Sequence, residues 1–187
     1  RSARLKRARL EQKLAEREIE NDFPLLHEQS TIALWTSLEV LVRSFVAGWL
    51  HNQPDAWRVE TIQKIKVRLG DYEALQPPDR ALWVADLLDR ELSGPLRNGV
   101  NRFECLLQPF NLNGDLPEEI KRNLFELSQV RHLLVHRQGV VDARILDACP
   151  WLLVKRGERL RISHAMWKLY QESVTKYAFE LLQRVRV

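Results

Sequence analysis

The strongest signal in this sequence is a stripe of apolar residues with helical spacing. Apolar side chains that recur every three or four positions lie on one face of a helix and bury it against a core. The stripe predicts a long helix from Ser30 or Thr31 to about His51. With 187 residues, the chain is long enough to cover such a face within one domain. The stripe consists of Ile32, Leu34, Trp35, Leu38, Leu41, Val42, Phe45, Val46 and Trp49.

Weaker patterns of the same kind predict further helices along the chain. Asp115 and Pro117 suit the start of one of them, and Gly139 suits its end. Two short apolar runs at residues 152–154 and 160–162 flank a turn and predict one small β-hairpin before the last helix. The predicted class is therefore all-α, an up-and-down helical bundle with one hairpin. The further helices are predicted at about residues 59–69, 81–92, 97–107 and 117–138, and from 163 almost to the end.

Residues 1–23 form a separate, charged segment. The first nine residues carry Arg1, Arg4, Lys6, Arg7 and Arg9 and no acid, and acids mix in afterwards. We interpret residues 1–23 as a basic N-terminal helix or linker with a solvated face, with an RNA-contacting arm as the minor alternative. Residues 24–187 then form the helical domain. Because the first residue is not Met, we expect the chain to be trimmed or cut from a longer protein.

Composition excludes several classes of function. The formal net charge of +4 is mildly basic. Cys105 and Cys149 belong to no Cys/His cluster, which argues against a zinc site and favours free thiols in a reducing cytoplasm. No uncharged apolar run has the length of a membrane span, and no phosphate loop, GxSxG or HExxH motif is present. We therefore expect a cytoplasmic protein without a metal, a cofactor or a membrane partner.

The unusual segment is residues 126–142, in which an arginine interrupts an apolar stripe. Arg131 falls in phase with Leu124, Leu127 and Leu134, so its guanidinium needs a partner or an opening. His136 follows five residues later, which is about 140° further around an ideal helix. On one intact helix the two side chains would not converge. Either the helix unwinds near His136, or two copies of the segment face each other across a dimer.

This segment resembles the Arg-x4-His signature of HEPN domains, a helical family of prokaryotic toxin and antiviral systems. The resemblance continues beyond residues 131–136 through Gly139, Val140, Val141 and Asp142, and it covers roughly residues 25–185. A helix that carries Trp35 and Glu39, and a hairpin in residues 150–162, also look like the bacterial branch. Two positions depart from the family. His132 stands where Asn is most frequent, and Gln138 stands where one branch has a tyrosine that receives a nucleotide, so that form of regulation is not indicated.

The resemblance implies a metal-independent endoribonuclease that acts as a homodimer with a composite active site. It implies that His136 is the general base or acid and that Arg131 holds the phosphate and stabilises the transition state. His132 would orient the site or contact RNA, and Arg137 would hold a phosphate. Glu39 would be an acid that holds Arg131 from behind, and we expect Asp142 to cap the segment that follows. The implied partners are RNA, a second copy, and an antitoxin or upstream sensor domain.

Two alternatives remain open from the sequence. The chain is a HEPN-like dimerisation or RNA-binding module without catalysis, or a helical adaptor that matches the motif by accident. A dimer whose Arg131 and His136 pairs meet in an open basic cleft favours the enzyme. The same dimer with a buried and satisfied motif favours the binding module. A monomer with the two residues far apart contradicts both.

Overall fold

The computed structural model describes residues 2–92 and 99–185, and this part of the chain is mostly helical. Nine α-helices and two short 3₁₀ turns are present in these residues, and no β-strand is formed among them. The all-α class is therefore confirmed. The helices are α1 (Ser2–Glu20), α2 (Pro24–Asn52), α3 (Glu60–Gln63), α4 (Leu69–Glu73), α5 (Pro77–Leu92), α6 (Val100–Leu107), α7 (Glu118–Arg137), α8 (Ala143–Ala148) and α9 (His164–Gln183).

The core is organised around α2, which packs against α5, α7 and α9. Four residues of the predicted stripe are buried, namely Trp35, Leu38, Val42 and Val46, and Ala47 and Leu50 complete the buried apolar face, whereas Leu41 of the stripe is exposed. Burying a side chain of this size contributes about 1.5–3 kcal/mol, so this face is a principal source of stability. Among the described residues, α2 is also the one helix that is long and apolar enough to cross a membrane. The core helix of a globular protein has the same length and composition, so this property does not establish a membrane span.

The start of α2 differs from the prediction. Pro24 is the first residue of the helix and not a break before it, so α2 begins six residues earlier than expected. Proline is favoured at the first helical position because its missing N–H would have no partner there. The carboxylate of Glu18 accepts the Leu25 N–H at 2.9 Å, so a side chain of α1 binds the first turn of α2. From Arg4 to the end of α1, all side chains except that of Glu18 are exposed.

The single helix predicted for residues 59–69 is wrong. This region contains the short helices α3 and α4 with an irregular segment between them, and Gly70 lies inside α4 and does not end a helix. β-Branched residues such as Ile65 and Val67 favour helix only weakly, which is consistent with the interruption. The 3₁₀ turn Pro54–Arg58 precedes α3, and the indole of Trp57 donates to the Leu50 carbonyl at 2.7 Å.

Helices α5 and α6 lie where helices were predicted. α5 begins at Pro77, four residues before the expected start. The expected first residues of α6, at positions 97 and 98, lie outside the described residues. Gly99 precedes α6 with φ 60° and ψ −141°, and a Cβ added there would stand 2.8 Å from the Cα of Phe125. The absence of a side chain at Gly99 therefore lets the chain pass against the backbone of α7.

The predicted hairpin between residues 152–154 and 160–162 does not form. Instead, an isolated antiparallel bridge joins Val140 to Arg159. The Val141 N–H donates to the Glu158 carbonyl at 2.8 Å, and the Leu160 N–H donates to the Gly139 carbonyl at 2.9 Å. The pairing partner of the segment before α9 is thus the chain that leaves α7. Helix α8, which the sequence patterns did not predict, lies between the two paired segments.

Candidate functional site

Helix α7 carries the Arg-x4-His motif and remains helical through its whole length. Its last residue is Arg137, beyond His136. The N–H groups of Gln138 and Gly139 both donate to the Leu133 carbonyl, and both residues have positive φ, which closes the helix with a left-handed turn. The possibility that the helix unwinds near His136 is therefore excluded. In one copy, Arg131 and His136 point in directions that differ by about 140°.

Buried polar contacts hold α7 against its neighbours. Glu126, which is buried, accepts the hydroxyl of Tyr170 on α9 at 2.7 Å and also accepts the indole N–H of Trp151. One turn earlier, the amide of Asn123 donates to the hydroxyl of Ser173 at 3.0 Å. Burial raises the pKa of Tyr170 far above its usual range, so the phenol stays protonated and remains a donor. These specific contacts fix which face of α7 is turned toward α9.

Arg131 lies on the apolar stripe of α7, as the sequence indicated. The stripe neighbours Leu124, Leu127 and Leu134 are buried, and Arg131 itself is half-buried. Its Nε is buried and has no hydrogen-bond partner within residues 2–92 and 99–185. Arginine carries its charge at any physiological pH, and a buried donor without an acceptor is costly. The Nε of Arg131 is therefore a buried donor without an acceptor in the part of the chain that the structure describes.

The structure pairs two histidines that the sequence analysis treated separately. The rings of His132 and His136 lie one helical turn apart on α7, with centroids 4.6 Å apart and planes tilted by 47°. His132 is half-buried and His136 is exposed. The spacing of four residues was the available signal, because positions i and i+4 lie on one helical face. His136 is therefore open to a ligand from solvent, and His132 lies beside it.

Arg144 on α8 completes this arrangement, and sequence reasoning missed it. Its Nη1 lies 3.4 Å from Nε2 of His132. Because a guanidinium only donates, Nε2 is the acceptor and the imidazole proton is assigned to Nδ1. Burial lowers the pKa of His132, and the positive charge of Arg144 and the neighbours on α7 lower it further. These surroundings therefore favour the neutral form of His132.

Asp142 and Arg137 lie at the junction of α7 and α8. Asp142 accepts the Ile145 N–H at 3.1 Å and caps α8, which confirms the capping role predicted for this residue. Its second carboxylate oxygen lies 3.7 Å from Nε of the exposed Arg137. We call Arg131, His132, His136, Arg137 and Arg144 the basic cluster. Asp142 is the acid that lies against it, and its two oxygens are already engaged.

The structure corrects the role expected for Glu39. Its carboxylate accepts from Nη1 of Arg102 at 3.0 Å, and the same guanidinium also pairs with Asp89. Glu39 thus binds Arg102 on α6, and no hydrogen bond or ion pair between Glu39 and Arg131 is formed within the described residues. This half-buried ion pair joins α2 to α6, and through Asp89 the same guanidinium also contacts α5.

The described residues contain no group of three or more His, Cys, Asp or Glu side chains arranged to hold a metal ion. Cys105 is half-buried, Cys149 is buried, and both thiols are free. Burial raises the pKa of the Cys149 thiol to about 12. The two cysteines therefore offer no ligand set for a metal.

Comparison with known proteins gives no relative. No protein-family model, no curated protein and no solved structure matches the chain.

Proposed function

We propose that the chain is a metal-independent endoribonuclease that cleaves RNA as a homodimer. The observation that carries the proposal is the exposure of His136 and the unpaired Nε of Arg131 on α7. His136 is exposed at the end of an intact helix, while Arg131, half-buried on the same helix, has a buried Nε without an acceptor among the described residues. A phosphate is a natural acceptor for such a guanidinium. The role as a toxin or antiviral effector rests on the resemblance of the motif to HEPN domains.

The proposed reaction uses the ribose 2′-hydroxyl as the nucleophile. A base removes its proton, the oxygen attacks phosphorus, and the bond from phosphorus to the 5′ oxygen breaks. The 5′ oxygen takes a proton as it leaves, so the products are a 2′,3′-cyclic phosphate and a 5′-hydroxyl. An imidazole can take or give a proton near neutral pH, which suits His136. The guanidinium of Arg131 stabilises the charge that gathers on the phosphoryl oxygens.

A dimer is required because Arg131 and His136 of one intact helix diverge. In a two-fold dimer, the Arg131 of one copy and the His136 of the other meet at the same phosphate, and symmetry creates this site twice. The proposal therefore predicts that the protein is a dimer at the concentrations at which it cleaves RNA. Sedimentation or light scattering measures the mass directly, and a strictly monomeric active protein contradicts the proposal.

The test is cleavage of an end-labelled single-stranded RNA in the presence of EDTA. Wild type should cut, and His136→Ala and Arg131→Ala should lose activity by about a hundredfold or more, the range of general acid–base catalysis. His51→Ala and Arg58→Ala are matched controls, because His51 and Arg58 are exposed and lie outside α7, α8 and the segment paired with residues 139–141. A DNA strand of the same sequence should not be cut. Equal cleavage by wild type and His136→Ala would overturn the proposal.

A further inference from the structure

We propose that Arg144 is a phosphate-binding residue of the RNA site, and that in the RNA-free protein its guanidinium rests on Nε2 of His132. This inference rests on the proposed function, because it assigns a residue to the same site. It extends that site from the motif helix α7 onto α8.

The surroundings of Arg144 leave its guanidinium available to bind an anion. The side chain is exposed, and no carboxylate among the described residues lies within ion-pair distance of it. Its contact with a neutral imidazole nitrogen at 3.4 Å is long for a hydrogen bond. A charged guanidinium binds an anionic oxygen more strongly than a neutral nitrogen. The contact is therefore one that an incoming phosphate readily replaces.

Asp142, the acid beside the basic cluster, forms no ion pair with Arg144 within the described residues. One oxygen of Asp142 accepts the Ile145 N–H, and the other faces Arg137. The charged and titratable groups that act on His132 are Arg144, His136 and Arg131, which are basic, and Asp142, which is acidic. The balance is positive, so the surface attracts the phosphate backbone of RNA.

Binding of a phosphate has a second effect at His132. When the guanidinium of Arg144 turns to the phosphate, the lone pair of Nε2 loses its donor and the nearby positive charge is neutralised. The pKa of His132 then rises toward its ordinary value, because one of the groups that lowered it is withdrawn. Phosphate binding by Arg144 is therefore coupled to the loss of its contact with His132 and to the rise of the His132 pKa.

The experiment measures binding of a 2′-O-methyl oligonucleotide, which has no free nucleophile and is not cut. Arg144→Ala should weaken binding about tenfold at low salt, the effect of losing one charged hydrogen bond. It should also reduce the slope of log affinity against log salt by about 0.7, the value for one phosphate contact on a single strand. Arg144→Lys keeps the charge and should keep the slope. Arg58→Ala, in the turn before α3, is the matched control, because Arg58 is exposed and lies outside α7, α8 and the segment paired with residues 139–141.

Histidine ¹⁵N spectra provide a readout that does not depend on affinity. His132 should appear as the Nδ1–H tautomer in the free protein, and its pKa should rise when the oligonucleotide is added. In Arg144→Ala the pKa of His132 should be higher from the start and should rise less. A protein that binds no oligonucleotide, or an Arg144→Ala variant that matches Arg58→Ala in affinity and slope, overturns the inference.

The two proposals fail separately. If Arg144→Ala binds and cuts as wild type does, Arg144 has no role while the endoribonuclease proposal stands. If wild type binds with the expected dependence on Arg144 but cuts no RNA, the phosphate site is supported and catalysis is contradicted.

Discussion

The rings of His132 and His136 face each other on α7, and the guanidinium of Arg144 approaches His132 from α8. Burial lowers the pKa of His132 below the ordinary value of 6.5, and the neighbouring cation and second imidazole lower it further. A protonated His132 is disfavoured in the folded protein. This arrangement links the protonation of one residue to the stability of the fold.

The first prediction concerns stability against pH. The unfolded chain binds a proton at His132 near pH 6.5, whereas the folded chain binds it only at lower pH. Protonation of His132 therefore does not affect the free energy of unfolding well above pH 6.5, and it lowers that free energy as the pH falls through this value. In His132→Gln, the decline in stability between pH 7 and pH 5 should be shallower than in wild type, as measured by urea denaturation. His51→Gln, at an exposed position, should follow wild type.

The second prediction concerns complementation between inactive variants. In the proposed dimer, a mixed pair of Arg131→Ala and His136→Ala chains keeps one complete site and loses the other. Random mixing of equal amounts should therefore restore about a quarter of the wild-type activity. The chains are unfolded, mixed and refolded together, and each variant alone receives the same treatment. If the mixture stays as inactive as its parents while refolded wild type is active, the two residues do not meet across the dimer.

The third prediction concerns the buried carboxylate of Glu126. Tyr170→Phe removes one of its two donors and leaves a buried oxygen without a partner, which should cost about 2 kcal/mol of unfolding free energy. Tyr72→Phe is the matched control, because its hydroxyl has no hydrogen-bond partner in the described residues, and it should change stability by less than about 0.5 kcal/mol. Urea denaturation of the two variants gives the difference. Equal effects would show that the Tyr170–Glu126 contact adds nothing.

The fourth prediction concerns thiol reactivity. At pH 8, Cys149 remains a thiol because burial raises its pKa to about 12, so it should resist a disulfide reagent in the folded protein. Cys105 is half-buried and should react faster. Kinetics with Cys105→Ser and Cys149→Ser distinguish the two thiols, and both should react quickly in urea. Rapid modification of Cys149 in the folded state would contradict its burial.

The fifth prediction concerns the close passage at Gly99. Gly99→Ala places a Cβ within 2.8 Å of the Phe125 Cα and imposes a backbone conformation that side chains rarely adopt. We expect a loss of at least about 2 kcal/mol. Gly70→Ala is the contrasting control, because Gly70 lies in α4 with open space around it and alanine favours helix there. Thermal or urea unfolding should separate the two variants in opposite directions.

Periodicity was sufficient for the long helices, because their apolar faces recur over many turns. Part of the core face of α2 and the existence of α7 and α9 follow from spacing alone, and α9 begins at His164, next to the predicted start at residue 163. Proline and glycine were less informative about where the helices begin and end. Pro24 is compatible both with a break and with a first helical turn, and the positive φ of Asp22 and Phe23 separates α1 from the helix that begins at Pro24.

Long-range contacts were not accessible from sequence patterns. The apolar runs near Leu152 and Leu160 have the composition of strands, yet hydrogen bonds connect the latter segment with Gly139 and Val141. Glu39 was placed near Arg131 by resemblance, and packing of α2 against α5 and α6 gives it Arg102 instead. Arg144 was missed because nothing in its neighbourhood in the sequence shows that α8 folds back over His132.

The intact, firmly packed helix α7 makes the proposed activity depend on protein concentration. Glu126 is held by two donors from outside the helix, so rotation of α7 about its axis would break both contacts. Such a rotation would also leave the angle of about 140° between Arg131 and His136 unchanged, because both lie on this helix, so under the proposed function a second copy completes the site. Under the proposed mechanism, activity per molecule falls on dilution below the dissociation constant of the dimer, and the amount of the protein in the cell becomes a threshold for RNA damage.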